Sequence, residues 1–251
     1  MDYETDFSDN YLETKYGKIF YKYHKGTEKS SPIIFIHGLG ADTRSWLRTV
    51  DNLEDNLNIY LIDLLGHGKS DAPNIEYKVD VQVSILKEFI EKLNINPIIV
   101  GHSYGGWVTA LYASMYDTKA IVLEDSAGFY DDKHLKNPNG EKEKLYKDVM
   151  QLAGNHDHVI KSTLYSDNTK FYLNENILSK IKTPTLIIWG REDQSVSLDI
   201  GRKINEYIKG SKLKIIDNAG HVSHYSQSET FSKTLTEFLQ SLKDKQKSKQ
   251  C

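Results

Sequence analysis

The stretch IIVGHSYGGW, Ile98 to Trp107, decides how the rest of the chain is read. An apolar run suited to a buried strand leads into Gly101-x-Ser103-x-Gly105, and a helical pattern, Tyr104 to Met115, follows at once. A serine at the apex of so sharp a strand-to-helix turn must adopt a strained backbone. Side chains two residues before and after it would collide, which explains a glycine at both positions. The first amides of the following helix then point to where negative charge would develop. Chance alone yields such a pattern in roughly one chain in ten of this size, so the flanking strand and helix carry the argument. Ser103 is the candidate nucleophile, and Gly106 lets the helix pack closely.

Working outward, extended and helical patterns alternate. Thr14 to Gly26 reads as a hairpin, with Tyr16-Gly17-Lys18 at its start or turn. PIIFIHG, LNIYLIDLLG, AIVLEDSAG, PTLIIWG and KLKIID read as further strands. Thr43 to Leu53, Val79 to Leu93, Leu198 to Ile208 and Glu229 to Leu242 carry helical spacing. This rhythm predicts an α/β fold with a mostly parallel sheet covered by helices on both faces. It breaks between Phe129 and Lys180, which is polar and irregular with one helix expected around Lys142 to Leu152. That segment is too short and polar for its own core and reads as a small helical lid. The expected organisation is a core of residues 1–128 and 181–243, a lid of 129–180, and a charged, disordered tail of 244–251.

A serine hydroxyl needs a base, and the base needs a third group to hold it. Among nine histidines, His221 stands just after the last strand and before the last helix. It should therefore reach the same sheet edge as Ser103, because parallel strands end together. His224 is the alternative. His24 falls in the hairpin, and His134, His156 and His158 fall in the insertion, where solvation is expected. His156 and His158 lack the further ligands of a metal pair. Asp193, in GREDQSV after PTLIIWG, is the candidate acid for the second ring nitrogen of His221. Glu192 should point away. Asp125 also ends a strand at this edge, as a rival acid, a supporting group or part of the pocket. HGLG, His37 to Gly40, supplies flexible amides, and those of Leu39 and Tyr104 are the expected oxyanion donors. His37 and His102 read as loop braces, and His67 ties together the glycine-rich loop DLLGHGKSD. His37, Gly38 and Trp107 join Asp125 as candidate pocket residues.

These motifs, HGLG, DLLGHGKSD, GHSYGG, GREDQSV and NAGHVSH, stand in register along the chain. Together they resemble the α/β-hydrolase superfamily, in its esterase-like branch with a small lid, from about Tyr11 to Leu242. The resemblance implies a Ser103–Asp193–His221 triad, an oxyanion hole at Leu39 and Tyr104, and an ester substrate, with no cofactor or metal. The insertion is shorter than in many relatives, which weakens inference of the substrate. The proline common after the nucleophile helix is missing from SMYDTKA. Serine at 103 argues against the epoxide hydrolases and haloalkane dehalogenases of this superfamily, which use aspartate. A thioesterase, a lactonase, a perhydrolase or a carbon–carbon bond hydrolase would share these motifs. The last should need a basic pocket group, for which Arg44 and Arg191 are the nearby arginines. A ligand receptor on the same fold is a reading from another class.

The chain's 251 residues suit one large domain, and its net charge of −3 carries no nucleic-acid footprint. The single cysteine, Cys251, excludes an internal disulfide. No apolar run approaches the roughly 20 residues of a membrane span, and the acidic start is unlike a signal peptide. A cytoplasmic protein without membrane insertion is expected, with monomer and homodimer both open.

Overall fold

The computed structural model describes residues 6–28, 30–54, 56–129, 138–152 and 154–248. Its eight strands form one sheet in the order β1-β2-β4-β3-β5-β6-β7-β8. β1 (Ser8–Thr14) and β2 (Gly17–His24) make the hairpin, and β2 runs antiparallel to β4 (Asn58–Ile62). β3 (Pro32–Ile36), β5 (Ile98–His102), β6 (Ala120–Glu124), β7 (Thr185–Gly190) and β8 (Lys212–Ile216) complete the sheet in parallel. The hairpin begins earlier than the reading of Thr14 to Gly26 allowed, since β1 starts at Ser8.

Successive residues of the central strands feed two different cores. Ile34, Ile36, Ile99, Ile121, Leu123, Ile187 and Trp189 face one side, under α2 (Val79–Leu93), α3 (Tyr104–Met115) and α7 (Leu198–Tyr207). Ile33, Phe35, Ile98, Val100, Val122, Leu186 and Ile188 face the other, with Phe231, Leu235 and Phe238 of the last helix. Period-two alternation with both faces apolar is what a sheet covered on both sides requires.

Three further elements depart from expectation. Thr43 to Leu53 forms a 3-10 turn, Thr43–Trp46, and one α turn, α1 (Leu47–Val50), capped by the Asp42 carboxylate on the Arg44 amide at 2.9 Å. The insertion holds α4 (Pro138–Met150), α5 (Asp157–Tyr165), a 3-10 turn at Thr169–Phe171 and α6 (Glu175–Leu178), where one helix was expected. After α8 (Ser223–Ser226), α9 runs from Ser228 to Ser248, so residues 244–248 of the supposedly disordered tail are helical. Once its first turns are nucleated on a packed apolar face, each further residue adds a hydrogen bond at little cost. Residues 249–251, with Cys251, and His134 lie outside the described residues.

Among the described residues, the insertion shows no separate core. Its Val159, Leu173 and Leu178 join the main cluster, and the Asn168 and Ser162 side chains accept from the Val79 and Tyr77 amides at 3.0 and 2.7 Å. It is pinned over the carboxyl ends of the strands by the loops it touches. Among the described residues, no helix is long and apolar enough to cross a membrane.

Candidate active site

Ser103 sits between β5 and α3 with φ 50° and ψ −112°, a conformation costly for any side chain. What holds it there is local backbone. Its amide donates to the Glu124 carbonyl at 2.9 Å, and its carbonyl accepts from the amides of Ala127 and Trp107, each at 3.0 Å. The two flanking glycines are sterically required. A Cβ on Gly101 would lie 2.3 Å from the Gly105 carbonyl oxygen, and one on Gly105 would lie 2.4 Å from that of Ile36.

His221 follows β8 and faces Ser103 across the sheet edge. Its Nε2 lies 2.9 Å from Ser103 Oγ and its Nδ1 2.8 Å from Asp193 Oδ2. The other Asp193 oxygen accepts from the amides of Ser195 and Val196 at 2.7 and 3.0 Å. That side chain is fully buried, whereas 23% of the His221 side chain remains exposed. A buried carboxylate thus grips one ring nitrogen, and the other faces a reachable hydroxyl. This is the geometry a base needs to take a serine proton. Glu192 instead accepts from the Ala219 amide at 2.9 Å.

The loop after β3 passes directly over the elbow, since a Cβ on Gly38 would lie 3.3 Å from Ser103 Cβ. Leu39 is next in that loop and partly exposed. Tyr104 is the first residue of α3, so its amide has no intrahelical acceptor. His37 is fully buried; its Nδ1 donates to the Gly38 carbonyl at 2.7 Å and its Nε2 accepts from the Leu64 amide at 3.0 Å. Burial holds its pKa down. It braces the loop. His67, driven to about 3 by burial, packs against it with ring centroids 5.2 Å apart. Asp63, also buried, accepts from Thr43 and Lys69 amides at 2.7 and 2.8 Å and so joins the loops after β3 and β4.

Two other expected pocket residues are buried and bonded within the protein. Trp107 is buried, and its Nε1 donates to the Phe171 carbonyl of the insertion at 2.9 Å. Asp125 is fully buried at the end of β6 and accepts from the Gly190 amide at 2.9 Å. Burial first, and then the neighbouring Glu124 and Asp193 carboxylates, push its carboxyl up to about 10. Asp125 was expected from its place at the sheet edge and Trp107 as an apolar residue of the helix after the elbow; both side chains are buried. Gly38 alone of the four expected pocket residues borders Ser103 in this way.

The sequence reading missed Glu124. Its carboxylate accepts from Ser223 Oγ at 2.6 Å, the His224 amide at 2.7 Å and His224 Nδ1 at 2.7 Å. Burial pushes its pKa up, but the adjoining His224 ring and its hydrogen bond outweigh this and hold it at about 2. A charged residue closing an otherwise apolar strand was the available signal. His102, kept near 3 by burial, donates from Nε2 to the His221 carbonyl at 2.7 Å. Atoms of His102, Glu124 and His224 come within 4.8 Å of one another, the one such group with metal-ligating atoms among the described residues. Both oxygens of Glu124 are taken by protein donors, so the group forms a bracket for the His221 loop and not a metal cradle.

A family model described as the alpha/beta hydrolase fold matches residues 31–160 and 129–227, and the chain belongs to that family. It is 28% identical over 262 residues to monoacylglycerol lipase ABHD6 of Bos taurus, covering 86% of this chain and 77% of that one. It is also 28% identical over 246 residues to 2-hydroxy-6-oxo-6-(2'-aminophenyl)hexa-2,4-dienoic acid hydrolase of Metapseudomonas resinovorans, covering 84% of each. The crystal structure of a putative lipase from Acinetobacter baumannii AYE shares the fold with a TM-score of 0.80 at 22% identity, over 96% of this chain and 93% of that one.

Proposed function

We propose that the protein hydrolyses carboxylic esters through an acyl-enzyme on Ser103. The observation that carries this reading is the unbroken Asp193–His221–Ser103 relay, with His221 Nε2 2.9 Å from a hydroxyl at a strained elbow. His221 takes the Ser103 proton as Oγ attacks the acyl carbon. The amides of Leu39 and Tyr104 receive the oxyanion, each such donor being worth roughly 3 to 4 kcal/mol. His221 gives its proton to the departing alcohol and then activates a water that cleaves the acyl-enzyme. Residues 129–180 serve as the lid over this edge.

Lipase relatives favour an ester, whereas one relative is named for a dienoic acid and keeps the carbon–carbon alternative in view. That chemistry calls for a basic pocket group. Arg44 pairs with Asp42 at 2.6 Å and Arg191 with Asp217, and both arginine side chains are half or more exposed. The ester reading is therefore preferred.

p-Nitrophenyl esters from acetate to palmitate test the reading. Turnover by the parent and a loss of at least about 10³ in Ser103→Ala support it. Absence of turnover on every ester, with Ser103 still labelled by a fluorophosphonate, rejects the ester while keeping the nucleophile.

A further inference from the structure

Three carboxyl groups are buried side by side at the carboxyl ends of β6 and β7: Glu124, Asp125 and Asp193. Their donors can be counted. Glu124 receives three, from Ser223 Oγ, the His224 amide and His224 Nδ1. Asp193 receives three, from the Ser195 and Val196 amides and His221 Nδ1. Asp125 receives one, from the Gly190 amide onto Oδ1. Its Oδ2 is buried and, among the described residues, meets no N–H or O–H. The Asp193 carboxylate, itself an acceptor, is a hydrogen-bonding neighbour of the Asp125 side chain.

Two neighbouring acceptors shut away from solvent need a proton between them. A charged Asp125 would be a buried anion beside two others, with no cation of its own and one oxygen unsatisfied. A neutral Asp125 converts the same contact into a short, charge-assisted hydrogen bond. We propose that Asp125 carries a proton on Oδ2 and donates it to Asp193, and so acts as the residue that positions the acid of the relay. The proposal rests on reading Asp193–His221–Ser103 as that relay. The backbone is arranged for it. Asp125 has φ 43°, uncommon for a residue with a side chain, and its amide donates to the Ile188 carbonyl at 3.1 Å. Together with the Gly190 amide on Oδ1, this fixes Asp125 to the strand that leads into Asp193. Charge on Asp193 is then shared among four donors, and the carboxylate is held in the orientation that meets His221 Nδ1.

Protonation predicts a specific pH dependence of stability. The folded pKa, about 10, lies far above the ordinary 3.8. The stability this group contributes is complete below 3.8 and is lost as pH rises toward about 10. Asp125→Asn keeps a donor in place of Oδ2 and an acceptor in place of Oδ1, and it does not titrate.

The experiment compares wild type, Asp125→Asn and Asp125→Leu. Infrared spectra of wild type in D2O at neutral pH should show the carbonyl stretch of an un-ionised carboxylic acid, absent from Asp125→Asn. The Tm of Asp125→Asn minus that of wild type should grow steadily across the same pH window. Asp125→Leu, which removes the donor, should lower kcat by about 10-fold with KM little changed, and Asp125→Asn should recover most of that loss. An infrared spectrum unchanged by Asp125→Asn, or a Tm difference flat with pH, overturns the proposal. So does a kcat as low in Asp125→Asn as in Asp125→Leu. The infrared and Tm measurements need no turnover. If wild type cleaves no ester, the relay's role fails separately, and the rate of fluorophosphonate labelling at Ser103 replaces kcat.

Discussion

Two histidine–carboxylate pairs lie three residues apart at one end of the sheet, and they do different things. His221 meets Asp193 at 2.8 Å; His224 meets Glu124 at 2.7 Å. Donor, acceptor and distance are almost the same. The difference is what faces the second ring nitrogen. His221 Nε2 faces Ser103 Oγ, and the side chain is 23% exposed. Among the described residues His224 Nε2 meets no partner, and its ring stacks on Trp46 at 4.0 Å, with 0% exposure. A short bond from a carboxylate therefore does not make a histidine a base. Access to a nucleophile and to solvent does. The buried pair instead clamps the segment that carries His221, helped by His102 on the His221 carbonyl.

The sharpest way to break this comparison is to delete each ring in turn. His221→Ala should lower kcat by at least about 10³ and leave Tm nearly unchanged, because its ring is partly exposed and its loop is held by Glu124. His224→Ala should do the reverse, losing about 3 to 5 kcal/mol of stability on urea unfolding. If His224→Ala stays folded and loses turnover as completely as His221→Ala, the assignment of roles is wrong.

Glu124→Gln sharpens the same point with a smaller expected effect. It removes the charge but keeps the shape, and about 2 to 3 kcal/mol should be lost, since the hydrogen bonds to Ser223 and His224 weaken without vanishing. The sign follows from its depressed pKa. The stability it contributes is present above 4.5 and is lost as pH falls toward about 2, so the gap between wild type and Glu124→Gln should close in acid. A gap that persists unchanged at the lowest pH would show that the charge is not what the pair supplies.

Asn155→Ala probes the insertion with the mildest effect. Asn155 Nδ2 donates to the Gly40 carbonyl at 3.1 Å and to that of Val149 at 3.1 Å, tying the end of α4 to the loop that carries Leu39. Val149 also presses on Gly40, where a Cβ would come within 2.4 Å of it. Its removal should lower kcat/KM about 3- to 10-fold with Tm shifted only slightly. An unchanged kcat/KM would separate the insertion from the oxyanion loop.

Much of this was legible in the chain. Val79–Leu93 is a helix with the boundaries its apolar period predicts, and Tyr104–Met115 is the helix expected directly after the elbow, buried on nearly every side. The elbow was legible because its steric demands fall on residues two positions apart. Other features were not. Asp125 and His37 were read as lying at the sheet edge and Trp107 as an apolar residue of the following helix, and their burial depends on what packs over them. Several helical turns of the insertion escaped because their apolar residues pack on the main core and leave little period of their own.

What the sequence determined by itself is the alternation of strands and helices, the serine at the turn, and the edge at which Ser103, Asp193 and His221 would gather. Those are properties of neighbouring residues and of parallel strands ending together. What only the tertiary structure decided is which partner each group takes. Ser103 and His221 are separated by 118 positions, Glu124 and His224 by 100, and Asp125 and Gly190 by 65. Pairings across such separations depend on strand order and on shifts of a few ångströms. Local periodicity carries no information about either, so His224 stood as the alternative to His221 until the sheet brought one to Ser103 and the other to Glu124 beneath Trp46.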